Sequence, residues 1–284
     1  MAEDKKKEFR KTLLEVKSLS TLPAVVAKLT RMAEDPETTS EQMGKVLAKD
    51  HIMAAKLLKL VNSSFYGFPQ KISSLTSAII LLGFNVIKSL IISSSIFELM
   101  EEQDIELWEH SLACAVACNV LAKHLGVSDP EEISTAGLIH DIGKVSIKMG
   151  LPEAYAEIGR FSEKKGVSRY KAEQAVLGLN HAEAGGWLAK NWNLPAKLRE
   201  PVTFHHTPAQ VKDEKMATTI VHFSNIIVRG MGYGHGPDIW VPPLDKQAWD
   251  MLSLSARDLD EIIEAVEERL WEVKGFSMEI DGAA

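Results

Sequence analysis

Apolar residues recur every three or four positions along nearly all of the chain, and no Val/Ile/Thr-rich run alternates with polar residues between hairpin turns. That pattern predicts an all-α fold. Residues 1 to about 19 read as a charged lead-in helix, and in LSTLPAVVAKLTRMAED the positions of Leu22, Val26 and Leu29 share one face that needs a partner. Thr39 and Gln42 have capping-box spacing at the head of TSEQMGKVLAKD, and Asp50 stands where it can cap HIMAAKLLKLVN after almost no loop. The two helices read as an αα-hairpin, with DNA contact by residues 39 to 62 as the weaker alternative.

SSFYGFPQKISS then punctuates the chain with glycine and proline. The stretch AIILLGFNVIKSLIISSSIF is about long enough to span a bilayer, but Gly83-Phe84-Asn85 interrupts it and Lys88 sits near its middle. It reads as two buried helices. The acidic MEEQDIE near residue 100 closes a first lobe, residues 1–100, and opens a second, residues 101–284.

In the second lobe, ELWEHSLACAVACNVLAKHLG is a helix that stops at Gly126. Ser128 and Glu131, with Pro130 in the first turn, form a capping-box signature that predicts one helix over residues 130 to 147. KAEQAVLGLNHAEAGGWLAKNW reads as one helix carrying His181, and Asn193 before Pro195 starts a short one leading to His205 and His206. MATTIVHFSNIIV is a further helix, residues 230 to 246 are loop, and SARDLDEIIEAVEERLWEV is a last amphipathic helix. The glycines of that loop follow no strand, so they do not make a phosphate-binding loop.

Length and composition refine this picture at four points. A chain of 284 residues suits two packed units, with 45% hydrophobic and 25% charged residues that place it among folded globular proteins. A net charge of −7 speaks against a general nucleic-acid binder, which needs a basic face. The charged start MAEDKKKEFRK precedes no apolar signal region, so the expected location is cytoplasmic, without a membrane partner. Cys114 and Cys118, one helical turn apart, read as small buried residues of a reducing compartment rather than as redox or metal groups.

The chemistry gathers in the second lobe. His110, His140, His181, His205 and His206, five of nine histidines, lie on separate segments that can converge, and Asp141 supplies a carboxylate beside them. Divalent metals favour imidazole nitrogen with a carboxylate that offsets charge, and a metal-free hydrogen-bonded core is the alternative. On one unbroken helix His140 and Lys144 stand at i and i+4. An ammonium would then lie one turn from a metal-bound oxyanion, unless Lys144 simply snorkels to solvent.

The order H…HD…H…HH resembles the HD superfamily of metal-dependent phosphohydrolases. Residues from about 19 to 272 resemble its HDOD branch, through LSTLPAVVAKL, VNSSFYG, SSLTSAIILLGFNVIKSLI and GLIHDIGK. The resemblance implies an N-terminal helical bundle packed with a diverged HD-like bundle. It implies His110, His140 and Asp141 as ligands of one metal site, and His181, His205 and His206 as ligands of a second, with Asp141 as the bridge. It implies Lys144 as the group that approaches substrate phosphate. The last family position, an aspartate in a VHxAD-like sequence, falls on Asn225 in IVHFSN.

Asparagine offers only a neutral carbonyl oxygen, so Asp141 is the one carboxylate the match retains, and one divalent ion (Fe, Mn, Ni or Zn) is expected rather than two. FHHTPAQVKDEK lacks the glycine-tyrosine-proline sequence of the cyclic di-GMP phosphodiesterases, which disfavours that substrate. The expected function is a regulatory signalling module that binds signalling protein partners or a small nucleotide-like ligand, with little catalysis. The alternative is a metal-dependent phosphohydrolase acting on a nucleotide or phosphoester, with Asp141 and Lys144 as its catalytic residues.

Overall fold

Helix starts follow the capping chemistry. The Thr39 hydroxyl accepts from the Gln42 backbone N–H at 3.2 Å while the Gln42 side chain accepts from the Thr39 N–H at 2.9 Å, completing the predicted capping box. Asp50 accepts from the Met53 N–H at 3.0 Å and starts the next helix two residues after the previous turn.

The computed structural model describes residues 2–15, 28–29, 31–32, 35, 37–62, 68, 70–97, 105–234 and 238–281, and regular structure among them is all helical. In chain order the helices are α1 (Ala2–Glu15), α2 (Ser40–Leu47), α3 (His51–Val61), α4 (Leu75–Phe97), α5 (Ile105–His124), α6 (Pro130–Ile139) and α7 (Ile142–Gly150). They continue as α8 (Pro152–Lys165), α9 (Arg169–Leu177), α10 (His181–Asn191), α11 (Ala196–Phe204), α12 (Lys215–Gly230), α13 (Lys246–Leu252) and α14 (Ala256–Asp281), with a 3-10 turn at Pro208–Gln210. Leu29 is buried, while Leu22, Val26, residues 63–67 of the VNSSFYG turn and residues 98–104 at the expected lobe boundary lie outside the described residues.

Asn62 closes the connection that follows α3. Its amide donates to the Leu58 and Ile72 carbonyls at 2.8 and 2.7 Å, and its oxygen accepts from the Ile72 N–H at 2.6 Å. α4 is two helical stretches joined at Gly83, whose φ of 77° favours glycine. Its second stretch buries Val86, Ile87, Leu90 and Ile91, and the Lys88 ammonium donates to the Asn193 carbonyl at 3.2 Å. Its first stretch is less buried than expected, since Ile80 and Leu81 face out. No helix among the described residues is long and apolar enough to cross a membrane.

The larger apolar core runs from Leu47 and Leu57 through Ile87 and Leu90 to Leu121, Ile139 and Leu198, with α4 packed on α6. α1 turns away from α2 to α4 and packs on α7 and α10. Leu13 joins Ile147, Ile158, Leu177 and Leu179 in a second cluster, Arg10 lies over the Trp187 ring, and Lys6 pairs with Glu183. Burying one leucine contributes about 1.5–3 kcal/mol, enough to hold a short charged helix in place.

Four expectations fail. The predicted helix 130–147 is two, α6 and α7, with a break at His140-Asp141. Asp129, not Ser128, precedes α6, and the Ser128 hydroxyl donates instead to Asp129 at 3.1 Å, so no capping box forms. The predicted helix 171–192 is also two. Gly178 ends α9 in the left-handed region at φ 69°, and Asn180 starts α10 by accepting from the Glu183 N–H at 3.0 Å. Asn193 starts no helix; it takes φ 50°, and α11 begins after Pro195.

Candidate metal centre

The break at His140-Asp141 builds the site. His140 Nδ1 donates to the Gly137 carbonyl at 2.7 Å and so competes with the backbone bond that would carry α6 onward. The Asp141 carboxylate makes no cap bond to α7 and turns inward, where it is 2% exposed. α10 then crosses α7 with almost no gap. A Cβ on Gly143 would collide with the His181 carbonyl and come within 2.7 Å of the Gly185 nitrogen, so glycine at 143 lets the two histidine-bearing segments meet.

The donors divide across the two oxygens of Asp141. Oδ2 lies 3.6 Å from His110 Nε2, 3.4 Å from His140 Nε2 and 2.6 Å from the Lys144 ammonium. Oδ1 lies 3.2 Å from His181 Nε2 and 3.7 Å from His205 Nε2. His206 Nε2 stands 3.0 Å from His181 Nε2 at the more open edge, its ring against Tyr170.

Three of the imidazoles are oriented through their other nitrogen. His140 donates to Gly137, His205 donates to the Val202 carbonyl at 2.9 Å, and His181 donates to Glu173 Oε2 at 2.7 Å. Glu173 Oε2 also accepts the His181 backbone N–H at 2.8 Å. Each bond fixes its ring with Nε2 turned to the Asp141 side, the usual orientation of metal-binding histidines.

Electrostatics agree. Burial pushes His205 and His206 well below the ordinary imidazole value, helped by neighbouring imidazoles; burial and then Arg229 do the same to His110. Those rings are neutral at pH 7 and able to ligate. Burial alone would raise the Asp141 carboxyl, but His140, Lys144 and His181 together hold it well below the usual carboxylate range. Burial likewise lowers His181, and Glu173 with Asp141 more than offsets it, so His181 moves up.

The donor set fits a divalent ion. His140 Nε2, Asp141 Oδ1, His205 Nε2 and Asn225 Oδ1 are all buried and make no hydrogen bond among the described residues. Each buried polar atom without a hydrogen bond costs about 1–3 kcal/mol. His181, His205 and His206 bring nitrogen atoms within 4.8 Å of one another, as do the donor atoms of His140, Asp141 and His205.

Six sequence-predicted positions therefore converge on one another: His110, His140, Asp141, His181, His205 and His206. Asn225 is buried on α12, with its oxygen unpaired. Lys144 neither stands one helical turn from His140 nor snorkels freely; it pairs with Asp141 with its side chain 13% exposed.

Sequence reasoning missed Glu173, because eight residues separate it from His181 and a single helix would have held them about 12 Å apart along its axis. The Gly178-Leu179-Asn180 break folds one back on the other. It also missed His222, whose Nδ1 donates to the His205 carbonyl at 2.7 Å and whose Nε2 accepts from the Asp245 N–H at 3.1 Å. With both nitrogens occupied, His222 positions the His205 turn.

An all-α fold with imidazoles gathered around an HD pair defines a protein of the HD type. Residues 19–208 match the HDOD domain, and the chain belongs to that family. An uncharacterized protein of Treponema pallidum (strain Nichols) is 24% identical over 221 residues, which cover 75% of this chain and 43% of that protein. The chain thus spans less than half the length of that relative. A proposed signal transduction protein of Marinobacter aquaeolei VT8 superposes with a TM-score of 0.73 at 16% identity, over 97% of this chain and 65% of that one. A proposed phosphohydrolase of Shewanella amazonensis SB2B gives 0.62 at 23% identity, over 91% and 88%. These two likenesses show the shared fold.

Proposed function

We propose that this chain is a regulatory HDOD module that binds signalling protein partners or a small nucleotide-like ligand, and that it holds one divalent transition metal on the Oδ1 side of Asp141. The observation that supports this reading is the charge at the centre. Asp141 is the carboxylate onto which the imidazoles converge, Glu173 faces the far side of His181, and a neutral asparagine occupies position 225. Two adjacent dications need more anionic charge than Asp141 alone supplies. Asp141, His181, His205 and His206 would hold the ion. A bound ion of this kind supplies Lewis acidity and acidifies a coordinated water.

One observation favours the competing reading, a metal-dependent phosphohydrolase acting on a nucleotide or phosphoester. The Lys144 ammonium sits at the rim 2.6 Å from Asp141 Oδ2, where it could neutralise a phosphate oxygen. Elemental analysis of protein purified without added metal, paired with hydrolysis of bis(p-nitrophenyl) phosphate, separates the two. The regulatory reading expects about one ion per chain and hydrolysis at the buffer rate. Metal-dependent turnover that disappears in Lys144→Ala would establish the enzyme.

A further inference from the structure

α1 lies before residues 19–208, the stretch that matches the family, yet it packs on two helices that frame the metal centre. α7 begins directly after Asp141, and α10 begins with His181. The contacts of α1 come from one helical face, at Lys6, Phe9, Arg10 and Leu13, the spacing i, i+3, i+4, i+7. Leu13 is 1% exposed and shares a buried cluster with Ile147 of α7, Leu177 and Leu179. Those last two flank Gly178, where the chain folds back and brings Glu173 Oε2 onto the His181 N–H and Nδ1. Lys6 pairs with Glu183, whose carboxylate also accepts from the Asn180 amide at 3.3 Å at the head of α10, and Arg10 lies 5.6 Å from the centre of the Trp187 ring one turn on.

We propose that α1 is a positioning element of the metal centre: Leu13 fixes the bend at Gly178 so that Glu173 stays on His181, and the affinity of the Oδ1 side for its ion depends on α1 being docked. This inference rests on the reading of His181 as a metal ligand.

The bend needs such support. Gly178 takes φ 69°, and glycine leaves a backbone more conformations than any other residue, so contacts rather than the chain itself must hold the fold-back. Leu177 and Leu179 stand on the two arms of the bend, and the cluster they share with Leu13 has to come apart before the arms can open. Opening would withdraw Glu173 from His181. A carboxylate on the second nitrogen orients a ligating imidazole and raises its basicity, so its withdrawal weakens the ion's hold. Of the α1 contacts Leu13 dominates. The Lys6 and Glu183 side chains are 39% and 33% exposed, and ion pairs so open to water contribute far less than burial of a leucine.

The test uses the full chain. Leu13→Asp lifts α1, because an unpaired charge is not tolerated in the cluster. Calorimetric titration should show Mn²⁺ bound about 10–100-fold more weakly, the loss expected when a supporting carboxylate is removed. Leu13→Asp combined with Glu173→Gln should fall no further than Glu173→Gln alone, since both act through one contact, and Leu13→Met should match the wild type. In metal-free protein, Leu13→Asp should speed hydrogen exchange over residues 173–183 and leave α5 unchanged.

Losses that add in the double variant overturn the proposal, because a merely stabilising helix would act independently of Glu173. Full Mn²⁺ affinity in a Leu13→Asp protein whose residues 2–15 exchange freely overturns it as well. A wild-type chain that binds no Mn²⁺ overturns the Oδ1 reading instead. Hydrogen exchange of the metal-free protein then decides the positioning role alone: acceleration over residues 173–183 upholds the hold of Leu13 on the Glu173–His181 contact, and unchanged exchange removes it. If Leu13→Asp does not fold, Lys6→Ala with Arg10→Ala, at side chains that reach solvent, should give a smaller loss of Mn²⁺ affinity that vanishes in the Glu173→Gln background. A loss that persists there overturns the proposal.

Discussion

The two sides of Asp141 are built differently. On the Oδ1 side, His181 and His205 are braced by Glu173 and by the Val202 carbonyl, and His222 grips the backbone of His205. On the Oδ2 side, His140 is braced by Gly137, whereas the hydrogen-bond and ion-pair neighbours of the His110 ring among the described residues are the Cys114 thiol and the carboxylate itself. A histidine with a hydrogen-bonded second nitrogen is already in the tautomer and orientation that a metal needs. The first side is thus organised before an ion arrives, and the second is organised in this way at His140 alone.

The harshest way to break this comparison is to remove what both sides share. Asp141→Asn should reduce every bound metal to background, because one neutral amide then replaces the carboxylate that faces both sets of imidazoles. Metal content by elemental analysis, with the helical circular dichroism unchanged, is the measurement. Substantial metal in that variant would mean that Asp141 is not a ligand.

Next comes loss of one side. His205→Ala with His206→Ala should abolish Mn²⁺ binding, whereas His110→Ala should bind Mn²⁺ as tightly as the wild type. Calorimetric titration of the two proteins side by side checks this. Stoichiometric Mn²⁺ in the double variant would place the ion on the wrong oxygen.

A smaller effect belongs to the bracing itself. Glu173→Gln keeps an acceptor near His181 Nδ1 but removes its charge, and loss of such a supporting carboxylate weakens metal affinity by about 10–100-fold. Mn²⁺ should show that drop in full. Undiminished Mn²⁺ affinity in a normally folded variant would mean that Glu173 does not act on the ion through His181.

The fold class and the convergence of six of the seven candidate positions were legible because each rests on a signal that tertiary context rarely overrides. Helical periodicity carries the first, and imidazoles and a carboxylate on separate helices carry the second. The helix ends near the site were less so. The helical periodicity over residues 130 to 147 hid the break at His140, since that break comes from a side-chain bond to the Gly137 carbonyl and from the close crossing at Gly143, side-chain and tertiary relations that periodicity does not encode. The break at Gly178-Leu179-Asn180 did leave one, a helix stop followed at once by a helix start, and reading it would have exposed Glu173. Cys114 illustrates a different limit. Its spacing from Cys118 suggests a pair, but its sulfur lies nearer His110, one turn back on its own helix, and His140, which the packing of α5 on α6 brings close.

The smallest expected effect concerns position 225, and it has a sign that depends on metal. Asn225→Asp adds a carboxylate where Asn225 Oδ1 is now buried without a hydrogen bond. Without an ion, burying that charge costs several kcal/mol even after relaxation, so the metal-free variant should unfold at a lower temperature than the wild type. With an ion nearby, unit charges 4 Å apart attract by about 4 kcal/mol at an effective dielectric near 20, which offsets the burial cost and leaves a modest surplus. Saturating metal should therefore raise the melting temperature of Asn225→Asp by more than it raises that of the wild type, since binding to the folded state stabilises it in proportion to the logarithm of the ratio of free metal to Kd. If Asn225→Asp leaves both the metal-free and the metal-loaded melting temperatures where they were, residue 225 does not face the centre, and the difference between the two sides of Asp141 arises from the bracing of the imidazoles alone.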